Sequence, residues 1–259
     1  EGSEILFGII MAGGRGTRLM PLTAKRPKPM VPVLGRPVID YVKDAMVAAG
    51  LSQIIVTTGF QGEQLIEHVS TWDISSRVNQ EDSPMGTAGS VRLLSNELKE
   101  TFVVGSGDSV ASFDISDLLE SHRKSGAKVT MALWRVDDPS EFGIVGLANE
   151  NQGEVDSELT EGYISRFKEK PTADEAFSNL INAGLYIIEP EVMELIPPGE
   201  KYDFSKQLFP DVLSRGWPMY AKTVNGIWFD VGHPFELHNA QMALVAGRDY
   251  LPFPMPEGE

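Results

Sequence analysis

The 259-residue chain contains no cysteine. That excludes disulfides, thiol nucleophiles and thiolate zinc sites, and leaves the redox compartment open. Its histidines, His68, His122, His233 and His238, are too scattered for a histidine-based metal cage. No apolar run approaches the roughly 20 residues that cross a bilayer. The run at residues 5–11 is short, lacks a basic flank and leads into glycines, so it reads as a buried strand and not as a signal peptide. Basic side chains are scarce: 22 Lys and Arg stand against 37 Asp and Glu, a formal net charge of −15. Such a balance argues against a nucleic-acid or anionic-membrane surface, both of which want a basic face. What is present, 42% hydrophobic and 23% charged residues, is ordinary for a globular protein with a real core. The default reading is a soluble, cytoplasmic protein.

The charge is unevenly spread. Residues 5–36 carry six basic side chains (Arg15, Arg18, Lys25, Arg26, Lys28 and Arg36) and no acidic one. This +6 segment surrounds a glycine-rich stretch in an otherwise acidic chain, and a site for a compact polyanion fits it better than a solvated basic loop.

Apolar, β-branched runs at 5–11, 53–58, 101–105 and 128–136 read as strands, several continuous enough to be buried on both faces. Between them, residues 38–49, 65–69, 88–94 and 115–125 have helical spacing; Pro37 stands near the first helix start and Gly50 follows its end. Alternation of this kind implies a mostly parallel sheet with helices on both sides. Later strands are expected at 143–147, 163–167, 180–188 and 219–224, extending the sheet or forming a small lid, and helices at 203–214 and 234–246. Residues 149–161 are acidic enough for an exposed loop. The tail at 251–259 begins with proline at every second position and cannot continue a helix. It reads as a terminus or the start of a linker after one domain at 5–250.

Ala12-Gly13-Gly14-Arg15-Gly16-Thr17-Arg18-Leu19 directly follows the first strand. Glycines there let consecutive backbone N–H groups converge on phosphate oxygens. A dinucleotide fingerprint would need its third glycine at Leu19, and the second strand ends in Thr57-Thr58-Gly59 with no acid to grip a ribose. A Walker loop would need Gly-Lys-Ser/Thr where this chain has Gly16-Thr17-Arg18. Pro21-Leu22-Thr23 and Arg26-Pro27-Lys28-Pro29-Met30 follow, and the flanking prolines would fix the backbone of Lys28. The string from Ala12 to Pro37 resembles the signature of the sugar-1-phosphate nucleotidyltransferases, or nucleotide-sugar pyrophosphorylases. Four later motifs agree in order: Pro84-Met85-Gly86-Thr87-Ala88-Gly89; Gly105-Ser106-Gly107-Asp108; Phe167-Lys168-Glu169-Lys170-Pro171 with Asn182-Ala183-Gly184-Leu185-Tyr186; and Trp228-Phe229-Asp230-Val231-Gly232.

The resemblance implies an α/β, Rossmann-like three-layer fold with a mostly parallel mixed sheet and a small sugar-binding extension. It also implies attack by a sugar 1-phosphate on the α-phosphorus of a nucleoside triphosphate, releasing pyrophosphate. Carried over by position, Ala12, Gly13, Gly14, Arg15, Gly16 and Thr17 would hold the triphosphate. Arg18 and Lys28 would stabilise its phosphates, and Lys170 the phosphate of the sugar. Gly86 and Thr87 would form the base-binding turn, with Gln80, or Glu81 in its place, reading the base. Gly143, Glu169 and Asn182 would contact the sugar, while Asp108 and Asp230 would coordinate Mg²⁺. The Gly-Thr-Ala-Gly run leans toward guanylyl transfer to mannose 1-phosphate; glucose 1-phosphate with dTTP or UTP is the alternative. Homo-oligomers are common in the family, and several relatives continue into a left-handed β-helix after the catalytic domain.

Each residue also has a plainer reading. Asp108 could cap the next helix, Glu169-Lys170 could be a surface ion pair, and Asn182 could serve only strand-end backbone groups. Asp230 lies between Phe229 and Val231, where a carboxylate is costly unless paired or metal-bound. His233, where the family more often has threonine, would orient Asp230 or the following turn. A phosphocholine acceptor would want an aromatic cage, and a regulatory subunit without catalysis would keep the fold alone.

Overall fold

The computed structural model describes residues 6–13, 20, 22–59, 62–232 and 234–246. The expectations on Gly14, Arg15, Gly16, Thr17, Arg18, His233 and the tail at 251–259 lie outside the described residues. In chain order the elements are β1 (Phe7–Met11), β2 (Pro32–Val33), β3 (Arg36–Pro37), α1 (Ile39–Ala48), β4 (Gln53–Thr58), α2 (Gly62–Val69), β5 (Ser75–Gln80) and α3 (Gly86–Arg92). There follow β6 (Phe102–Ser106), β7 (Ser109–Ala111), α4 (Ile115–Ser125), β8 (Val129–Arg135), β9 (Gly143–Ala148), β10 (Glu161–Glu169) and β11 (Leu180–Ile188). The last are α5 (Phe209–Ser214), β12 (Met219–Thr223), β13 (Trp228–Asp230) and α6 (Pro234–Ala246). Among the described residues no helix is long and apolar enough to cross a membrane.

The chain divides into two compact units, the first formed by Glu1–Pro84, Val103–Ile115 and Asn225–Glu259, the second by Met85–Phe102 and Ser116–Val224. In the first unit the strand order is β5-β4-β1-β6, all parallel. The centres of β1, β4 and β6 are buried because helices need apolar contact on both faces of a parallel sheet. Helix α1 lies so close on β1 that a Cβ at Gly8 would meet Met46 Sδ at 2.5 Å. That helix ends where Gly50 turns left-handed, at φ +80°, and the Leu51 amide returns to Met46 O at 3.2 Å. A short antiparallel ribbon pairs β13 with β7, setting Asp230 opposite Ser109.

The second unit departs from the expected parallel pattern. Its order is β11-β8-β12-β10-β9, and only β8 and β12 run parallel. Strands β9 and β10 are joined by a polar loop with no crossover helix, so the chain must return antiparallel. Strand β11 also meets β9 at Ile181↔Ile144. It can do so because its register against β8 shifts between Asn182 and Tyr186, where Gly184 adopts φ +80°. Bulges of this kind bend a strand and re-aim its side chains. The helix expected at 203–214 is split into a π turn at Phe204–Leu208 and then α5. Pro210 lacks the N–H that a continuous α-helix would need at that turn.

Candidate functional site

In the first unit, the parallel strands direct Ala12 and Gly13 after β1, Gln80 at the end of β5 and Asp108 after β6 to one carboxyl edge. Ligands in open α/β sheets bind at this edge. Backbone bonds from Ala12 N to Thr57 O (2.8 Å) and Gly107 N to Met11 O (2.9 Å) hold neighbouring strand ends in register. Pro27 precedes and Pro29 lies within a 3₁₀ turn at Lys28–Met30, so the two prolines flank Lys28. The turn brings Lys28 Nζ to 3.2 Å from Asp108 Oδ2, both side chains largely shielded. Asp108 does not cap a helix: β7 begins at the next residue. Its carbonyl accepts from Val231 N at 2.9 Å, so the ribbon ties the Asp108 backbone to the residue after Asp230. Asp230 is half-buried, not enclosed by its apolar neighbours.

A carboxylate on the ribbon, Asp230, and one immediately before it, Asp108, suit Mg²⁺, a hard cation that takes one or two carboxylates and completes its shell with substrate phosphates and water. Among the described residues there is no group of three or more acidic or histidine side chains that would cage a metal by itself. Gln80 is exposed at the end of β5, and its amide lies over Gly62, where a Cβ would meet Gln80 Oε1 at 2.9 Å. Glu81, the alternative base reader, has its amide fixed to Thr58 O at 2.8 Å.

In the second unit, Glu169 pairs in register with Gly143 across β10 and β9. The Ile181↔Ile144 bridge brings the bulge at Asn182 alongside them. A Cβ at Gly143 would lie 3.0 Å from Glu169 Oε2 and 2.8 Å from Phe167 Cζ, so only glycine leaves the carboxylate clear. Glu169 Oε2 is buried and accepts no hydrogen bond among the described residues. Burial pushes the Glu169 carboxyl above its ordinary 4.5, against the opposing charges of Lys170 and Lys206 and a hydrogen bond from Ser205. Lys168, not Lys170, holds a surface ion pair, with Glu175 at 2.9 Å. Lys170 is exposed and takes a left-handed φ of +43°.

Asn182 is more committed to the fold than its motif suggests. Its Oδ1 accepts from Gly184 N at 2.8 Å, which fixes the orientation of the amide because an N–H can only donate. The Nδ2 protons go to Tyr186 Oη at 2.6 Å and Ser205 Oγ at 3.1 Å. Only a spare lone pair on Oδ1 is left for a ligand. Gly86 and Thr87 open α3, and Thr87 N lies 3.2 Å from Asp203 Oδ1 while Thr87 Oγ1 accepts from Phe204 N at 2.9 Å. Ser205, Tyr186 and Asp203 were not assigned by sequence reading. Tyr186 lies inside a quoted motif without a role there, and Ser205 has no motif to mark it.

A family model described as nucleotidyl transferase matches residues 7–247. A mannose-1-phosphate guanyltransferase of Eremothecium gossypii is 35% identical over 234 residues, covering 88% of this chain and 61% of the relative. A UTP–glucose-1-phosphate uridylyltransferase of Synechocystis sp. is 31% identical over 241 residues, covering 86% and 59%. Among solved structures, a UDP-glucose pyrophosphorylase from Acinetobacter baumanii superposes with a TM-score of 0.79 at 22% identity, covering 93% of each chain. That likeness speaks for the fold. The chain spans about three-fifths of the length of the curated relatives it matches.

Proposed function

Because the chain belongs to the nucleotidyl transferase family, we propose that it transfers a nucleotidyl group from a nucleoside triphosphate to a sugar 1-phosphate, giving an NDP-sugar and pyrophosphate. The observation that weighs most is the shielded Lys28–Asp108 pair at the carboxyl edge, with Lys28 drawn from the basic stretch of an acidic chain. Both reactants are polyanions, so the protein's task is to offset their repulsion and align them. No deprotonating base is needed, since a phosphate monoester with a second pKa near 6 is already ionised at neutral pH. Lys28, held by Asp108 in the free protein, turns its ammonium to the incoming phosphates, which releases the Asp108 carboxylate. Asp108 and Asp230 would hold Mg²⁺, which supplies further neutralisation of the triphosphate. Arg18 and Lys170 would act on the α-phosphate and the sugar phosphate.

Glu169 Oε2, desolvated and lacking a donor, suits a sugar hydroxyl, because a buried acceptor is stabilised when a ligand supplies the hydrogen bond. The nearby aromatic side chains do not form a choline cage: Phe204 and Phe209 are buried, stacked on each other at 5.6 Å and packed on Tyr186. Mannose 1-phosphate with GTP is the leading pair, supported by the guanyltransferase relative. Glucose 1-phosphate with UTP or dTTP is the second reading, favoured by the uridylyltransferase relative. Incubation with each triphosphate and a panel of sugar 1-phosphates, coupled to pyrophosphatase and phosphate detection, should show turnover with GTP and mannose 1-phosphate. Absence of turnover across the panel refutes the assignment. Asp108→Asn and Asp230→Asn should each abolish the metal-dependent rate, and retention of most activity would remove them as metal ligands.

A further inference from the structure

We propose that Ser112 is a positioning residue for Asp230: its hydroxyl closes the β7–β13 ribbon and fixes the register that sets the Asp230 carboxylate against the segment carrying Asp108. The inference rests on the nucleotidyl-transfer reading, with Asp108 and Asp230 as ligands of Mg²⁺, and adds to it a residue that acts through Asp230. Every contact involved lies within the first unit.

The ribbon that carries Asp230 has little length to hold it. Strands β7 and β13 have three residues each and form a sheet of their own, and a two-stranded ribbon of that size is marginal in water by itself. Asp230 stands opposite Ser109, Phe229 opposite Val110 and Trp228 opposite Ala111. A slip by one residue would turn Asp230 to the other face of the ribbon and draw the fully buried Val231 out of its place. Hydrogen bonds beyond both ends of the ladder lock the pairing. At one end Val231 N donates to Asp108 O, and at the other Ser112 N donates to Ile227 O, each at 2.9 Å.

Ser112 does more than continue the ladder. Antiparallel partners ordinarily exchange two main-chain bonds, yet the bond returning from Ile227 N goes to the Ser112 hydroxyl, at 3.0 Å. The hydroxyl proton is shared between Ile227 O, at 3.2 Å, and Asn225 O. One side chain thus spends its single donor and an acceptor on the lead-in to β13. Asn225 is the residue at which the chain re-enters the first unit, so that lead-in is pinned before the strand begins. Ser112 and Ile227 are both buried. Alanine at 112 would leave Ile227 N without its acceptor, a loss that burial makes costly. Strand β13 follows directly, so freedom gained at Ile227 is carried along it to the carboxylate at its end.

The test compares Ser112→Ala, Ser112→Thr, Asp230→Asn and the double variant of Ser112→Ala with Asp230→Asn. Calorimetric titration of the triphosphate that the wild type turns over, once with Mg²⁺ and once with chelator, measures the gain in affinity due to metal. That gain should shrink about tenfold or more in Ser112→Ala, the scale seen when a group that orients a metal ligand is lost. The Mg²⁺ concentration for half-maximal rate should rise by a similar factor. Triphosphate affinity in chelator, and KM for the sugar 1-phosphate at saturating metal, should stay within about twofold of wild type. Ser112→Thr, which keeps the hydroxyl, should restore most of the gain. In the double variant Ser112→Ala should add little to the loss from Asp230→Asn, because both act on one carboxylate. Amide exchange should quicken at residues 225–232 and stay unchanged in β1, β4 and β6. If Ser112→Ala does not fold, Ser112→Cys supplies a weaker donor and serves the same comparison. An unchanged metal gain, no rescue by threonine, or full additivity with Asp230→Asn overturns the proposal, while wild-type turnover leaves the functional assignment standing. Absence of wild-type turnover instead sinks the assignment on which it rests.

Discussion

Lys170 holds a backbone conformation that a side chain resists. Its φ of +43° costs roughly 1–2 kcal/mol for a residue with a Cβ, and strain of this kind gathers where function over-determines the chain. Lys170→Gly should therefore keep or raise the melting temperature while weakening sugar 1-phosphate binding about tenfold or more; a variant that melts lower without losing affinity would assign Lys170 to structure. Glu169 gives a pH signature. Its folded pKa lies above the ordinary 4.5 because burial disfavours the charge, so between the two values the folded state binds more protons than the unfolded one. Stability contributed by this group falls as pH rises through that window. Glu169→Gln should consequently melt higher than wild type at neutral pH, with the gap narrowing on acidification, while turnover collapses. Melting curves across roughly pH 4 to 8 check the sign. These residues were legible as chemical types in their motifs, whereas the strain on one and the burial of the other arise only from the fold.

Several elements were readable because their side chains have one clear destination. The runs in β1, β4 and β11 are apolar and buried, so their periodicity survives folding. Strand β5 was missed because it is an edge strand with no buried residue and with Val78 its only aliphatic one; its pairing with β4 depends on backbone bonds, which leave no pattern in side chains. The β7–β13 ribbon is equally silent, joining short segments far apart in sequence. The Asn182 network is a third case, since its polar groups come from β11 and the π turn. At the junction of α4, β8 and the segment after β11, buried His122 lies 2.7 Å from both Thr130 Oγ1 and Glu189 Oε1. Burial pushes this histidine below its ordinary 6.5, outweighing the opposing pull of Glu189. The unfolded state then takes up the proton first, so stability is present above pH 6.5 and is lost as pH falls below it. Replacing His122 by Gln should flatten the fall in melting temperature between neutral and mildly acidic pH, and an unchanged slope would place its cause elsewhere.

At the scale of the whole chain, the net charge of −15 and the basic segment at residues 5–36 pull a polyanionic substrate in opposite directions. Their ranges differ. Salt at roughly physiological strength screens exposed charges beyond about 8 Å, which weakens the diffuse repulsion of the acidic body more than the short contacts of Lys28. Moderate salt should therefore lower KM for the triphosphate or leave it nearly unchanged, and only high salt, which competes for the phosphate contacts themselves, should raise it. A steep rise from the lowest salt would mean that long-range attraction dominates. Metal dependence can be separated from folding by the same reasoning. Asp108 already has Lys28 at 3.2 Å as its counter-charge, so the carboxylate does not depend on a cation to be tolerated in the fold, unlike the ligands of structural metal sites, whose removal unfolds the protein. Chelation should abolish turnover while shifting the melting temperature by no more than about 2 °C, a change that for a chain of this size corresponds to about 1 kcal/mol. Lys28→Ala reverses the dependence: with this counter-charge gone, less offsets the desolvation of Asp108, and Mg²⁺ should now raise the melting temperature measurably. Scanning calorimetry of both proteins with and without metal decides it, and a wild-type protein that unfolds on chelation would make the Asp108 and Asp230 site structural.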